Sequence, residues 1–545
     1  MRLFLAGIIL IVVGASCNKT ELKQIKYIPK EASSVISIDA KSLREKSAGD
    51  DINLDSVFSS LEREAGSETS FSEHLKDMKN SGIDTTGQFF VFAKTSGSIV
   101  NGHQQAMGFI APLDDRSKLG NWLKKQLPEK EIKTTADYSY MALGDNFVAG
   151  WNNEVVIISF VNGGNYSPGT YSTGEGTLSQ QQLTELFSLK ESESVASINE
   201  FKELAAQKAD IHLWTNVSGG LGAFSFLGMT KVGDLLRDMY VASTVNFETG
   251  KVVLDSKTYA GKELSDILKK YPGPGIDSRM IEQFPFNAEG FLSFSFDPRI
   301  LVEILKFSGA EEFINQLAPN LGFTINDVSK AFSGEVAVVF GDIEGMAGMS
   351  KSPARFLLNA KIGDKVAYDK IIAALNEKGF MVNRDGQYIP RDLRDTGVVW
   401  SVDDKNLIIA SDKNLLQQYR SGSGKTGIAS GIVNEIKDKA GAFYIDLNKI
   451  MQSLPADTAY NETKEMAKAS FKDVLATSDN FDGKMIKAHA ELRLMNDKEN
   501  SLTVILKFLK SAKMQRHRFV VKDIHLDNIN DSKVEPPPPP PISGQ

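Results

Sequence analysis

The sequence predicts an α+β fold made of two tandem, divergent repeats of mainly antiparallel sheet with flanking helices. Short β-rich runs alternate irregularly with amphipathic helical segments, whereas a parallel sheet requires regular alternation of strand and helix. A series of landmarks also recurs in the same order in the two halves of the 545-residue chain. With 41% hydrophobic and 24% charged residues, the chain has the composition of a protein that folds in water.

The N-terminal residues predict export from the cytoplasm. Met1 and Arg2 form a short positive segment, and residues 3–13 are an apolar run interrupted only by a glycine. This run is shorter than the roughly 20 apolar residues of a membrane-spanning helix. It fits the apolar segment of a signal peptide that is cleaved. The sequence therefore predicts a lipoprotein signal peptide at residues 1–16.

Cys17 is the predicted lipidation site. It is the only cysteine in the chain and follows three small residues, an arrangement that resembles the bacterial lipobox, whose cysteine carries diacylglycerol. Gly14 departs from the Leu or Val that usually stands there, and an ordinary cysteine of the apolar segment is the alternative. Lipidation would make residues 17–26 a tether to the bilayer.

The tether carries no acidic run, and this absence bears on localisation. By resemblance to surface lipoproteins of Bacteroidota, an acidic run would favour export to the cell exterior. We therefore expect a lipid anchor in the outer membrane that faces the periplasm, with the cell surface as the alternative. The predicted partners are the lipid bilayer, through acylated Cys17, and an unknown envelope partner.

Each repeat opens with a strand that runs into a helix. These strands lead to Asp39 and Asp297, whose carboxylates are predicted to cap the helices that follow. Pro298 then takes the favoured first helical position. A strand that begins with glycine, another apolar strand and an amphipathic helix come next. The paired segments are 87–92 with 334–340, 107–113 with 355–361, and 117–126 with 365–378.

A hairpin and three further landmarks complete each repeat. The turns Asn152-Asn153 and Asp403-Asp404 connect the strands of the hairpins at 147–158 and 398–409. The closing segments pair as 198–202 with 433–437, 209–216 with 442–446, and 245–251 with 479–484. We predict the first α+β repeat at 27–272 and the second at 280–512, because the prolines and glycines of Tyr271–Asp277 interrupt both helix and strand.

Residues 513–545 are predicted to be a C-terminal extension with a disordered polyproline tail. The run Pro536–Pro541 favours a solvated polyproline helix, which either docks in an aromatic groove or is a stiff free end. Basic residues precede the tail and indicate contact with anionic lipid or a solvated strand. They are Lys507, Lys510, Lys513, Arg516 and Arg518.

The segment Tyr27–Asp39, the Cys17 tether and the two-fold layout together resemble an uncharacterised lipoprotein family of Bacteroidota, the domain of unknown function 4836. The resemblance extends over nearly the whole mature chain. Its motifs are structural, so it implies no reaction and assigns no functional residue.

Searches for catalytic and ligand-binding motifs predict no catalytic residue, no cofactor site and no metal site. The histidines do not have the spacing of metal ligands; they are His74, His103, His212, His489, His517 and His525. No Gly-x-Ser-x-Gly motif occurs. Ser421–Thr426 imitates a phosphate-binding loop, but Tyr419 occupies its first glycine position, and Gly219–Gly222 does not complete a dinucleotide fingerprint.

Two sets of residues leave alternatives open. Carboxylate pairs suit acid–base catalysis, but they also suit turns and caps, which we favour; they are Asp114-Asp115, Asp403-Asp404 and Asp392 with Asp395. The tryptophans could line a groove, but core packing is favoured; they are Trp122, Trp151, Trp214 and Trp400. A net charge of −7 argues against a nucleic-acid partner.

The sequence favours a membrane-anchored envelope lipoprotein that binds or scaffolds and is not an enzyme. A hydrolase of glycan or peptide is one alternative, which requires two carboxylates about 5 to 10 Å apart in a large cleft. A carrier of an apolar ligand is the other, and it requires a wide apolar cavity.

Overall fold

The computed structural model describes residues 22–47, 80–98, 102–144, 146–163, 177–220, 231–342, 355–384, 387–393, 397–422, 426–453 and 461–509. The predicted signal peptide, Cys17 and the polyproline run lie outside these residues. The strands are β1 Ser34–Asp39, β2 Gln88–Ser98, β3 Gly102–Pro112, β4 Lys133–Thr134, β5 Ser139–Ala142, β6 Phe147–Trp151, β7 Val155–Gly163, β8 Ile211–Asn216, β9 Tyr240–Glu248, β10 Lys251–Tyr259, β11 Gly290–Ser295, β12 Phe332–Gly341, β13 Arg355–Ile362, β14 Met381–Arg384, β15 Gln387–Pro390, β16 Val399–Val402, β17 Asn406–Ala410, β18 Gly441–Ile445, β19 Phe471–Ser478 and β20 Met485–Leu494.

Helices connect the strands and cover parts of both sheet faces. They are α1 Ala40–Lys46, α2 Arg116–Gln126, α3 Thr177–Phe187, α4 Asn199–Ala205, α5 Val217–Gly220, α6 Lys231–Leu236, α7 Lys262–Lys270, α8 Arg279–Glu282, α9 Arg299–Ser308, α10 Ala310–Leu321, α11 Ile325–Ala331, α12 Lys365–Glu377, α13 Lys413–Ser421, α14 Ser430–Ile436, α15 Leu447–Ser453, α16 Asn461–Ser470 and α17 at 501–509. Short 3₁₀ helices lie at Lys23–Tyr27, Glu191–Glu193, Val195–Ser197 and Arg391–Leu393.

Eighteen of the described strands form one sheet, and every pairing in it is antiparallel. Their order is β4-β5-β6-β7-β3-β2-β1-β8-β9-β10-β20-β19-β18-β11-β12-β13-β17-β16, and β14 pairs with β15 in a separate hairpin. The predicted α+β class with a mainly antiparallel sheet is therefore confirmed.

The two halves of the chain place their strands in the same order on either side of the β10–β20 pair. Outward from this pair, the first half contributes β9, β8, β1, β2, β3, β7 and β6. The second half contributes β19, β18, β11, β12, β13, β17 and β16. The paired sequence segments that form strands thus lie at matching places in the sheet, and β10 joins the halves through β20.

One predicted correspondence is shifted by two residues. Asp39 lies opposite Gln88, which follows Gly87, whereas Ser295 lies opposite Glu335, which follows Gly334. By its position in the sheet, Asp39 therefore corresponds to Ser295 and not to Asp297. Strand β11 ends at Ser295, two residues before Asp297.

The predicted caps are partly confirmed. The Asp39 carboxylate accepts a hydrogen bond from the Ser42 backbone N–H at 2.8 Å and caps α1. Asp297 accepts from the backbone N–H of Arg299 at 2.9 Å, the first residue of α9. Pro298 is the N-cap residue and not the first helical residue, so its predicted position was wrong by one.

Buried clusters lie on both faces of the sheet. The first face, which carries Val35 and Phe291, packs against α3 and α4 in the first half and against α13 and α14 in the second. The second face, which carries Ile36 and Leu292, is covered near its two ends by α2 and α12. Side chains of adjacent strand residues point to opposite faces, so each strand contributes to both layers.

Candidate binding site at the centre of the sheet

Charged side chains line the first face where β10 meets β20. In the register of this pair, Asp255 lies opposite His489, and Lys251 lies opposite Arg493. The Asp255 side chain is 57% exposed and the His489 side chain 46% exposed. This charged seam therefore separates the buried cluster of the first half from that of the second half.

His489 is bound by a carboxylate at each ring nitrogen. Its Nδ1 lies 2.7 Å from Oδ1 of Asp255, and its Nε2 lies 3.5 Å from Oε1 of Glu491. Burial lowers the pKa of His489, but hydrogen bonds and charge from the two carboxylates outweigh it and raise the pKa. Because Nδ1 faces Asp255 and Nε2 faces Glu491, His489 is suited to linking β10 with β20.

A second ion pair fills the far end of the seam. Arg493 Nε lies 2.5 Å from Oδ1 of Asp473, a buried carboxylate, and Nη1 lies 3.7 Å from Oε1 of Glu435. Arg493 is four residues beyond His489, as Tyr259 is four residues beyond Asp255. The pairs Arg493–Asp473 and Tyr259–Tyr240 therefore occupy corresponding places in the two halves.

A cavity of about 470 Å³ opens beside Tyr240 and Tyr259. The Tyr240 hydroxyl donates to Asp238 Oδ1 at 3.1 Å, and the Tyr259 hydroxyl donates to Glu203 Oε2 at 3.3 Å. Burial, followed by these carboxylates, raises the pKa of each tyrosine to about 12. Both hydroxyls thus keep their protons at neutral pH, and their oxygens remain able to accept hydrogen bonds.

The tyrosine cavity draws its walls from both halves of the chain. Lys484, from the turn before β20, places its ammonium 3.6 Å from Glu203 Oε1 and 5.7 Å from the centre of the Tyr259 ring. Lys30, Glu200 and Lys262 add further charges to the lining. The cavity can therefore offer one ligand both hydrogen-bond donors and acceptors, and both positively and negatively charged side chains.

A second cavity, of about 580 Å³, lies between α3 and the first face of β2 and β3. Glu31 and Lys94 line it, with Nζ of Lys94 3.9 Å from Oε2 of Glu31. Gln182, also in the lining, accepts a hydrogen bond from the Ser159 hydroxyl through Oε1. Both cavities are lined largely by polar residues, so neither is the wide apolar cavity expected for a carrier.

The aspartates of the sequence analysis form turns and caps where the structure describes them. Asp115 Oδ1 accepts from the backbone N–H groups of Ser117 and Lys118 at the start of α2. Asp403 Oδ1 accepts from the N–H groups of Lys405 and Asn406 in the hairpin turn. Asp114 lies beside the α2 cap and Asp392 in an exposed 3₁₀ turn, while Asp395 lies outside the described residues.

The tryptophans belong to the cores. Trp122, Trp151 and Trp214 are buried, and the half-buried Trp400 packs against the α12 cluster. The preference for core packing over a ligand groove is thereby confirmed at these positions.

The glycine-rich segments contribute no described phosphate site. Ser421 ends α13, and Gly422 follows in the left-handed conformation of a helix C-cap. Gly219 lies in α5, and residues 221–222 and 423–425 lie outside the described part of the chain.

The histidines that the structure describes do not converge on a metal. The described residues include no group of three or more His, Cys, Asp or Glu side chains that could hold one. His212 is buried, its Nε2 donates to the Gln207 carbonyl at 2.9 Å, and burial lowers its pKa. His103 lies in β3; His74, His517 and His525 lie outside the described residues.

Sequence reasoning did not single out His489 or the two tyrosines as a site. Asp255 and His489 are 234 residues apart, and only the pairing of β10 with β20 brings them together. One signal was available, because the last strands of the two repeats carry charged residues at alternate positions where an apolar core would be expected.

Comparisons with known proteins identify a family. The family described as Domain of unknown function (DUF4836) matches residues 25–502. The chain belongs to this family. No curated protein matches the chain. The Bacteroidota origin and the lipoprotein character remain predictions.

Two solved structures of the protein TP0453 are similar to parts of the chain. Crystal form I is 7% identical over 45% of this chain and 81% of its own, with a TM-score of 0.24. Crystal form IV is 7% identical over 44% of this chain and 82% of its own, with the same TM-score of 0.24. At these scores the similarity supports no conclusion about fold or function. In the described residues, no helix is long and apolar enough to cross a membrane.

Proposed function

We propose that the chain is a lipid-anchored envelope protein that binds a polar ligand in the tyrosine cavity without transforming it. The observation that carries this proposal is a difference between corresponding places in the two halves. Tyr240 and Tyr259 border an open cavity, whereas Asp473 and Arg493 form an ion pair at the equivalent place in the second half. The fold does not require tyrosines at this place, because the second half carries an ion pair there, and this difference favours a role in binding.

This comparison rests on a duplication, which we also propose. The shared strand order and the paired sequence segments support two copies of one unit, with boundaries at 27–272 and 280–512. Residues 272–277, between α7 and α8, form neither helix nor strand, as suits a junction. Asp255 and His489 then occupy the same position in the two copies, and β10 and β20 are related by an approximate two-fold axis through this pair.

The charges of the tyrosine cavity indicate the ligand class. Lys30, Lys262 and Lys484 lie among Glu200 and Asp238, so the lining favours neither a simple anion nor a simple cation. Its volume lies within the 300 to 1,000 Å³ range typical of small-molecule sites. We propose a small hydroxylated ligand, such as one or two saccharide units, which can both donate and accept hydrogen bonds.

The anchor is a proposal that rests on the N-terminal sequence. Cys17 precedes the first described residue, Leu22, by five positions, which span at most about 18 Å. The adjoining 3₁₀ helix is fixed to the body, because Lys23 and Lys26 both bind the Glu154 carboxylate. Acylation of Cys17 would thus hold the body close to the outer membrane, facing the periplasm.

Binding is tested by titrating a panel of mono- and disaccharides into the purified protein by calorimetry. We expect Tyr259→Phe and Tyr240→Phe to weaken a saturable binder by about threefold to tenfold, since each removes one hydrogen bond but keeps the ring. Tyr388→Phe, in the β14–β15 hairpin, is the matched control. Unchanged binding by both variants would overturn the site, and turnover of the saccharide would favour the hydrolase.

Lipidation is tested by growing cells that express the full chain with labelled palmitate. The wild-type protein should incorporate the label, and Cys17→Ala should incorporate none. Equal labelling of the two chains would rule out Cys17 as the anchor.

A further inference from the structure

An unbroken row of apolar side chains crosses the second face of the sheet. It starts at Ile38 in β1 and ends at Leu292 in β11. Each strand between them contributes one residue directly opposite the next: Ile211, Val245, Leu254, Ala490, Ala476 and Phe443. We call this set the apolar row. It lies on the opposite side of the sheet from the tyrosine cavity.

No described core covers the apolar row. Its members belong to none of the four buried clusters, and Leu292 and Phe443 are 44% and 37% exposed. Phe247, Val252, Leu492 and Val474 form a second apolar line beside it. At about 4.8 Å per strand, the apolar row is roughly 34 Å long and the second line, which crosses four strands, roughly 14 Å; with nearly 7 Å per pair of residues along a strand, the two lines cover about 340 Å². Apolar patches of this size on a monomer are often functional.

The dimensions of the patch exclude two kinds of occupant. Its roughly 340 Å² falls short of the 800 Å² that each partner of a stable dimer buries. The α2 and α12 clusters flank it on the same face, and a helix about 10 Å thick stands above the sheet at each end. Two recessed faces cannot meet each other, and a flat bilayer surface cannot reach the floor of the recess.

We propose that the apolar row binds the acyl chain of a single lipid or fatty acid molecule. Its side chains offer no hydrogen-bond donor or acceptor, and the backbone groups beneath are paired, because each of these strands has a neighbour on both sides. A hydrocarbon chain can occupy such a floor without leaving polar groups unpaired. One leaflet of a bilayer core is about 15 Å thick, so the row is long enough for an extended chain.

The test uses the chain produced without residues 1–17, and cis-parinaric acid as a fluorescent fatty acid. We expect saturable binding, at least tenfold weaker in the Leu292→Ser/Phe443→Ser double variant. Both side chains are already partly exposed, so folding should persist, and circular dichroism checks it. Val366→Ser, an exposed apolar residue of α12, is the matched control and should bind like the wild type. Ala490→Glu, which places a charge in the middle of the row, should abolish binding.

Three results would overturn the proposal. One is equal binding by the wild type and a folded Ala490→Glu variant. Another is a wild-type dimer that the double variant converts to a monomer, because the occupant is then a second copy. The third is cosedimentation with phosphatidylcholine vesicles without binding of the free fatty acid. The proposed saccharide site stands or falls separately, because none of these substitutions touches the tyrosine cavity.

Discussion

His489 in β20 and Asp255 in β10 face each other across the boundary between the two halves, with Nδ1 2.7 Å from Oδ1. Under the proposed duplication, Asp255 and His489 are the same position of the repeated unit, so this position lies opposite its own copy. Two identical charged residues would repel each other here, since like charges directly opposite destabilise a sheet. An aspartate facing a histidine turns the repulsion into an attraction.

We predict that this attraction depends on pH. The pKa of His489 is raised by Asp255 and Glu491 against the opposing effect of burial, so its contribution is fully present below the unfolded-state pKa near 6.5. The contribution is lost as pH rises through the higher folded-state pKa. Because the pair is about half exposed, solvent screening limits it to less than about 1 kcal/mol.

Urea unfolding of wild type and His489→Gln from pH 5.5 to 8.5 measures this dependence. The difference in unfolding free energy should be largest at pH 5.5 and shrink towards pH 8.5. Asp255→Asn should flatten the same dependence. A difference that stayed constant over the whole range would contradict the assigned role.

Local features of the fold were predictable from the sequence, because near neighbours determine them. The Asp39 cap and the Asn152 and Asp403 turns each depend on backbone groups within three residues. Irregular alternation of short strands and helices likewise indicated an antiparallel α+β sheet. The position of Pro298 was missed by one residue, which is a common error at helix ends.

The candidate site could not be predicted, because distant segments of the chain assemble it. Lys30, Asp238 and Lys484 meet in one cavity only after β9, β10 and the turn before β20 have come together. No sequence spacing encodes the choice of β20 as the partner of β10. The apolar row could not be predicted from the sequence either, because each of its members is a single residue from a different strand.

We predict that Asp210 is a major contributor to stability. Its carboxylate is 1% exposed and accepts from Lys46 Nζ at 2.7 Å and from the backbone N–H of Phe247 at 2.6 Å, so it joins α1 to β9. Asp210→Ala leaves these donors unpaired and should lower the free energy of unfolding by about 3 kcal/mol. The exposed Asp137→Ala should change it by less than about 0.5 kcal/mol. Chemical denaturation of both variants compares them, and equal effects would refute the assignment.

Two glycines should respond in opposite directions to alanine. Gly334 has φ +93°, and a Cβ there would lie 1.7 Å from the Phe296 carbonyl oxygen, so Gly334→Ala must displace β11 from β12. We expect a loss of more than about 2 kcal/mol. Gly431 lies in α14, and a Cβ there would have nothing within 4 Å. Gly431→Ala should therefore raise the free energy of unfolding by about 0.5 to 1 kcal/mol. Thermal unfolding of both variants measures the direction of each change. A Gly334→Ala variant as stable as the wild type would disprove the close approach of Gly334 to the Phe296 carbonyl.

Asp327 should stabilise the start of α11 through its charge. Its carboxylate binds Lys370 Nζ at 2.7 Å and the Thr324 backbone N–H at 2.7 Å, and these contacts lower its pKa to about 2. A depressed pKa gives stability that is present above the unfolded-state value near 3.9 and is lost as pH falls towards 2.

Asp327→Asn should therefore cost about 1 kcal/mol at pH 7, and the cost should shrink between pH 4 and pH 2.5. Asp369→Asn, which removes only an exposed pair with Lys365 one turn away, should cost no more than about 0.5 kcal/mol at any pH. Urea unfolding of both variants at pH 7, 4 and 2.5 distinguishes them. If the cost of Asp327→Asn did not change with pH, the shape of the side chain and not its charge would stabilise the start of α11.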